Sequence, residues 1–187
     1  MKHILIAALL AATSLSAVAA ADSYTIEPSH TYPSFEAPHM GVSWWRGKFN
    51  KSSGKVSLDK LGKTGTVDIR IDTKSIDFGH DKMNEAAMSE EFFNVEKFPT
   101  ATYKGKLVFT GDIPSAVDGE LTLLGVTKPV KLTLNSFTCI MHPFFKKEDC
   151  GGDAYGEFNR ADFGMSKYAD GPLGQVRLRI QVEAIKD

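Results

Sequence analysis

Apolar and polar residues alternate with a period of two over most of this chain. The clearest runs are 67–72, 130–135 and 176–183, in which every second residue is apolar. Successive side chains of a β-strand point to opposite faces of its sheet, so each run predicts a strand with one buried face. Similar runs over 103–109 and 117–123, with glycine-rich turns between them, predict about eight strands joined by short antiparallel connections.

A sheet with one apolar face must bury that face. Either two sheets pack into a sandwich or a single sheet closes into a barrel, and the alternation by itself fits both. Eight strands closed into a barrel leave an interior that side chains just fill or that holds one small ligand. Residues 80–94 form the one segment with helical character, for which we expect one or two turns between strands.

The first 21 residues have the pattern of a secretory signal peptide. A basic start at Lys2 precedes an apolar run from Ile4 to Ala12, and small residues follow up to Ala21. This run is shorter than the roughly 20 residues that a membrane-spanning helix needs. We therefore expect cleavage after Ala19, Ala20 or Ala21, export to the periplasm, and a single mature domain over residues 22–187.

Export determines how the two cysteines are interpreted. Cys139 and Cys150 have ten residues between them, and the chain has no other cysteine. Cysteine pairs outside the cytosol tend to be oxidised, and this spacing matches no common zinc or haem motif. We predict a structural disulfide, which in the chain-entropy description stabilises the fold by roughly 3 kcal/mol.

Charge and motifs argue against several functions. Lys and Arg number 22 against 23 Asp and Glu, which gives no basic surface for nucleic acid. The chain has neither a nucleophile elbow nor a phosphate-binding loop, and no spacing fixes two carboxylates for acid–base catalysis. His30 and His39 lack a third ligand at a familiar metal spacing. The sequence indicates a binding protein with no metal and no catalytic residues.

Four sequence blocks, in order along the mature chain, carry a family resemblance. They are 24–30 with Phe35, His39 and 46–49; 71–77 with 91–99; 119–130; and 158–165. Together they make the chain resemble the YceI family of exported lipocalin-like proteins, and the cysteine pair is similar to that of a periplasmic subset.

The resemblance implies an all-β fold, an eight-stranded antiparallel lipocalin-like barrel with one short helical segment. It also implies an apolar interior that takes up a long isoprenoid lipid, either a quinone such as ubiquinone or a polyprenyl chain. Homodimers are common in the family, and transient membrane contact is a further expectation. Residues 82–88 depart from the Arg-Asp-x-His-Leu stretch of many members, so a head group that touches this stretch would meet different side chains.

Candidate residues of the cavity wall follow from the alternation and from the aromatic pairs near the helical segment. They are Phe35, His39, Trp44, Phe49, Phe92, Phe93, Tyr103, Leu107, Phe109, Leu121, Leu123, Leu132, Leu134, Phe163 and Met165. Trp44 and Trp45 are adjacent, so in a strand one faces inward and the other outward. The outward ring would lie at the rim or contact a partner or a membrane.

Two other functions remain open at this point. A barrel filled by its own side chains would make the chain a surface or interaction protein. An enzyme acting on an isoprenoid lipid would need polar residues deep in the barrel, and the alternation places few there.

Overall fold

The computed structural model describes residues 21–187, and the predicted signal peptide lies outside these residues except for Ala21. Strands make up most of the described chain. The strands are β1 (Asp22–Ile26), β2 (Tyr32–His39), β3 (Ser43–Phe49), β4 (Ser52–Asp59), β5 (Thr64–Asp72), β6 (Ile76–Asp77), β7 (Thr100–Thr110), β8 (Ile113–Leu123), β9 (Val126–Pro129), β10 (Leu132–Met141), β11 (Glu148–Asn159) and β12 (Gln175–Lys186).

Eight of these strands close into an antiparallel barrel, as predicted. Their order is β1-β4-β5-β7-β8-β10-β11-β12, and pairing of β1 with β12 completes the ring. Strand β12 is long enough to have two partners on one edge. Its residues 184–186 pair with β1, and its residues 177–181 pair with β2. Strands β3 and β6 extend the sheet beyond β2.

The barrel interior is predominantly apolar. Residues 67, 69 and 71 of β5 and residues 176, 178, 180 and 182 of β12 face inward, as their alternation predicts. At one end a cluster that we call the base cluster is tightly packed: Tyr24, Ile26, Leu58, Cys150 and Ala184 are all less than 8% exposed. We call the opposite end, at the β2–β3 hairpin and residues 160–170, the mouth.

One short α-helix lies at the mouth. Helix α1 (Asp81–Met88) is followed by turns that extend to Phe98, held by hydrogen bonds such as Phe93 N to Ala87 O at 2.9 Å. This matches the short helical segment expected between strands. Within residues 21–187, no helix has the length and apolar character that crossing a bilayer requires.

The predicted disulfide joins strands β10 and β11, close to the hairpin loop that connects them at the base of the barrel. Cys139 of β10 and Cys150 of β11 are directly opposite each other in the strand register and are bonded. The loop between these strands, residues 142–147, projects from the base of the barrel.

Candidate ligand-binding cavity

An elongated cavity of about 990 Å³ occupies the barrel interior. This volume is at the upper end of the roughly 300–1,000 Å³ that is usual for ligand pockets. Alternate residues of β12 from Val176 to Ala184 line it, which corresponds to about 26 Å of strand at about 3.3 Å per residue. The cavity is therefore elongated and extends along the strands from the mouth to the base cluster.

Most of the predicted wall residues line this cavity. They are Phe35, His39, Phe49, Phe92, Phe93, Tyr103, Leu107, Leu121, Leu123, Leu132, Leu134 and Met165. The strand residues are brought together because alternate positions of every barrel strand face the same interior. The other three predicted residues, Trp44, Phe109 and Phe163, do not line it.

Trp44 is on the outer surface, and the neighbouring Trp45 faces the cavity instead. The guanidinium of Arg177 lies 4.0 Å from the centre of the Trp44 ring, in a cation–π contact. Trp45 is paired with Ala37 of β2 and points inward with it. Trp45 shares the parity of Phe49 on β3, and this parity is the sequence signal that identifies the inward ring.

Phe109 and Phe163 are packed elsewhere, for two different reasons. Phe109 has the inward parity of β7 but lies at the end of the strand, where it packs against the base cluster. Phe163 belongs to a 3-10 turn after β11 and is only 1% exposed. Its ring packs edge-on against Phe158, with centroids 5.1 Å apart, and Phe158 itself lines the cavity.

Several lining residues were not among the predicted ones. They include Trp45, Phe78, Met83, Ala86, Ala87, Phe158, Arg160 and Tyr168. Most of them belong to the helix and to turns at the mouth, where no period-two pattern indicates which side chain faces the ligand. Met83, Ala86 and Ala87 are within the stretch that departs from the family pattern, so α1 presents only apolar side chains to the cavity.

Aromatic rings form the wall near the mouth. The centroid of Phe35 is 5.7 Å from that of Phe49, 5.5 Å from that of Phe78 and 6.3 Å from that of Phe93. These separations and tilted planes are those at which aromatic pairs attract beyond simple burial. Gly47 makes the arrangement possible, because a Cβ there would be 2.8 Å from the Phe35 ring and 2.9 Å from the Phe78 ring.

Few polar groups face this cavity, and most of them already have partners. The hydroxyl of Tyr103 donates to the backbone oxygens of Val130, at 2.8 Å, and Val117, at 3.3 Å. Burial raises the pKa of Tyr103 well above its ordinary value, so the phenol remains neutral. At the mouth, the His39 ring stacks on Trp45 with centroids 4.0 Å apart.

Arg160 is the buried charge of the cavity wall. The residue is 8% exposed and lies at the start of the turn that follows β11. The guanidinium donates to Met165 O at 3.1 Å and to Tyr168 O at 2.8 Å, and lies 6.0 Å from the Phe92 ring. Loss of solvent lowers the pKa of Arg160, but a guanidinium remains charged at any physiological pH.

Two groups of possible metal ligands occur within residues 21–187. One consists of Cys139, Glu148 and Cys150, whose two sulfurs are bonded to each other. The other consists of Glu27, His30 and Glu183 at the surface, where His30 Nδ1 is 2.7 Å from Glu27 Oε2. A hydrogen bond joins His30 and Glu27 within this second group.

A closed antiparallel barrel around a tubular apolar cavity defines the structural class of this protein. The sequence matches the YceI-like domain family over residues 24–184, and the chain belongs to that family. It is 33% identical to protein YceI of Salmonella arizonae over 175 residues, which cover 93% of this chain and 91% of that one.

Solved structures share the fold. A Campylobacter jejuni YceI protein is 22% identical and superimposes with a TM-score of 0.67, over 80% of this chain and 90% of that one. A polyisoprenoid-binding domain from Saccharophagus degradans is 14% identical, with a TM-score of 0.61, over 88% of this chain and 98% of that one.

Proposed function

We propose that this protein is an exported, periplasmic carrier or store for a long isoprenoid lipid, with ubiquinone as the first candidate. The observation that carries the proposal is the tubular apolar cavity, which extends from the mouth to the base cluster. The structurally similar polyisoprenoid-binding domain from Saccharophagus degradans supports this class of ligand. The pattern of residues 1–21 supports export.

The tail provides ample binding free energy in such a site. Each buried CH₂ contributes about 0.8 kcal/mol, so a prenyl tail of several dozen carbons would nominally exceed the observed limit of roughly −20 kcal/mol. Partial burial of the tail is therefore sufficient for tight binding. Polar groups at the mouth then select the head group and its orientation.

The mouth also suggests how a lipid enters. Met40 and Val42, at the tip of the β2–β3 hairpin, are 77% and 85% exposed, and Met40 also lines the cavity. A bilayer that covers this hairpin would connect the cavity to the membrane interior without exposing the tail to water. Transient membrane contact through the β2–β3 hairpin is therefore part of the proposal.

The function is tested by mass spectrometry of protein exported to the periplasm and purified without detergent. Native spectra and a solvent extract should show one prenyl lipid per chain. The matched variants are Leu121→Trp, which fills the cavity, and Glu120→Trp, which places the same ring on the exposed face of the same strand. We expect Leu121→Trp to lose the lipid and Glu120→Trp to retain it.

The alternatives predict different results from the same experiment. Bare wild-type protein that takes up no added ubiquinone would contradict the carrier function and favour an interaction protein. A bound lipid that the protein converts chemically during incubation would favour an enzyme. An intact lipid that is lost only from the cavity-filling variant supports a carrier.

A further inference from the structure

A charged side chain in an apolar wall needs an explanation. Arg160 is the residue of the described cavity lining that combines a permanent charge with burial; Asp170, also in the lining, is exposed. No carboxylate within residues 21–187 is within ion-pair distance of Arg160. Burying an unpaired guanidinium is unfavourable unless hydrogen bonds compensate for the lost water.

The hydrogen bonds within the protein use only part of this group. A guanidinium has five N–H donors in a planar fork. In the structure, Nη1 donates to Met165 O and Nη2 donates to Tyr168 O, and these are the hydrogen bonds of the guanidinium within residues 21–187. Donors remain on a group that lines the cavity, close to the Phe92 ring.

The other polar groups of the wall are less suited to hold a ligand. The Tyr103 hydroxyl is already bonded to two backbone oxygens, and α1 contributes only apolar side chains. His39 is at the rim, with its ring stacked on Trp45. Arg160 is therefore the best-placed donor for a ligand atom near the mouth.

We propose that Arg160 is the head-group anchor of this cavity and binds an oxygen acceptor, a quinone carbonyl or a phosphate, at the mouth end of an isoprenoid. This inference rests on the proposed function. A planar fork of donors matches such oxygens, and a charge-assisted hydrogen bond in an apolar setting is stronger than a neutral one. The tail would then extend from Arg160 towards the base cluster.

A purely structural role for Arg160 would be to hold residues 165–168 in place through their carbonyl oxygens. The two roles differ in which ligands they affect. Loss of a structural contact should weaken binding of every lipid that fills the tube. Loss of an anchor should weaken binding only of lipids that carry an oxygen acceptor.

The experiment compares three probes on delipidated full-length mature protein: ubiquinone, a polyprenyl phosphate and squalene, an isoprenoid hydrocarbon without oxygen. The variants are Arg160→Met, which keeps the length of the side chain without donors, and Arg160→Lys, which keeps the charge without the fork. Arg177→Met is the control, because that guanidinium lies on the outer surface against Trp44. Affinities for all three probes are measured by displacement of the same fluorescent apolar ligand, because squalene has no group that quenches tryptophan.

For Arg160→Met we expect at least about a tenfold loss of affinity for one or both oxygen-bearing probes and less than a twofold change for squalene. Arg160→Lys should retain more affinity for the phosphate than for the quinone. The lysine ammonium still attracts an anion, but it lacks the planar pair of N–H donors that the guanidinium offers to a carbonyl oxygen. Whichever probe loses more affinity identifies the head group. Arg177→Met should leave all three affinities unchanged.

The Arg160 anchor and the carrier function would be refuted by different outcomes. An equal loss for all three probes, or no loss for any, would refute the anchor and leave the carrier function intact. Wild-type protein that binds none of the probes would refute the carrier function itself. If Arg160→Met does not fold, Arg160→Lys still tests the anchor through two ratios, those of quinone and of phosphate affinity to squalene affinity. The anchor is contradicted if both ratios equal those of the wild type.

Discussion

At the scale of single residues, one glycine of a directly paired couple determines how Tyr103 packs along the barrel wall. Gly105 of β7 and Gly119 of β8 are directly paired. The Tyr103 ring lies over Gly119, where an added Cβ would be 2.5 Å from the hydroxyl oxygen and 2.8 Å from Lys104 O. Glycine at 119 thus allows the Tyr103 hydroxyl to reach the carbonyl of Val130.

We predict that Gly119→Ala lowers the free energy of unfolding by about 1–3 kcal/mol, because the new methyl group overpacks the wall. Tyr103→Phe should cost about 1 kcal/mol, since it leaves backbone oxygens without a donor. Because the two changes meet at one contact, the double variant should lose less than the sum. Urea denaturation measures all three, and strictly additive losses would contradict this account.

At the scale of elements, two hairpins expose apolar side chains at opposite ends of the barrel. The β2–β3 hairpin exposes Met40 and Val42 at the mouth. The β10–β11 hairpin exposes Phe144 and Phe145, at 84% and 57%, at the base. Their surfaces are alike in chemistry, but only Met40 among these four also lines the cavity. Lipid transfer should therefore depend on the first hairpin and not on the second.

We predict that Met40→Ser with Val42→Ser slows transfer of ubiquinone from vesicles to the delipidated protein by at least about tenfold. Partial burial of the two side chains in the membrane contributes a fraction of the roughly 1.5–3 kcal/mol that full burial of each would give. Phe144→Ser with Phe145→Ser is the matched control and should leave the rate unchanged. The rate is read from tryptophan quenching after mixing with phosphatidylethanolamine–phosphatidylglycerol vesicles. Equal slowing by both pairs would instead indicate that any exposed apolar surface promotes transfer. Light scattering of the free protein separately tests the expected homodimer.

At the scale of the whole molecule, the barrel is stabilised by its closed ring of strands and its packed base, whereas its cavity lacks packing contacts. Hydrogen bonds around the ring satisfy the strand edges, and the base cluster supplies a tightly packed end. The large cavity reduces packing between the walls, because its lining atoms lack partners on one side. A bound lipid would provide those missing contacts.

We therefore predict that removing the lipid lowers thermal stability without unfolding the barrel. Ligand that binds only the folded state stabilises it by about 2.7 kcal/mol at a concentration of 100 Kd. Scanning calorimetry of loaded, delipidated and reloaded protein measures the effect. A melting temperature that is the same in all three samples would contradict selective binding of the lipid to the folded protein.

The sequence by itself predicted the strands and most of the wall, because burial of one sheet face imposes a period of two that can be read residue by residue. That alternation fits a sandwich as well as a barrel, and only the family resemblance implied the closed barrel. The disulfide followed from the cysteine spacing and the expected export. It also contains the parity that places Trp45 inward. Only the tertiary structure decided what happens at the ends of the strands. There, helix α1 and the turns at 160–170 follow no simple period, and Arg160, a residue type usually exposed, is buried. Its hydrogen-bond acceptors, Met165 O and Tyr168 O, are close to it in the chain. Its burial, however, depends on the barrel wall and on the Phe92 ring, which come from distant segments, so no local pattern could reveal it.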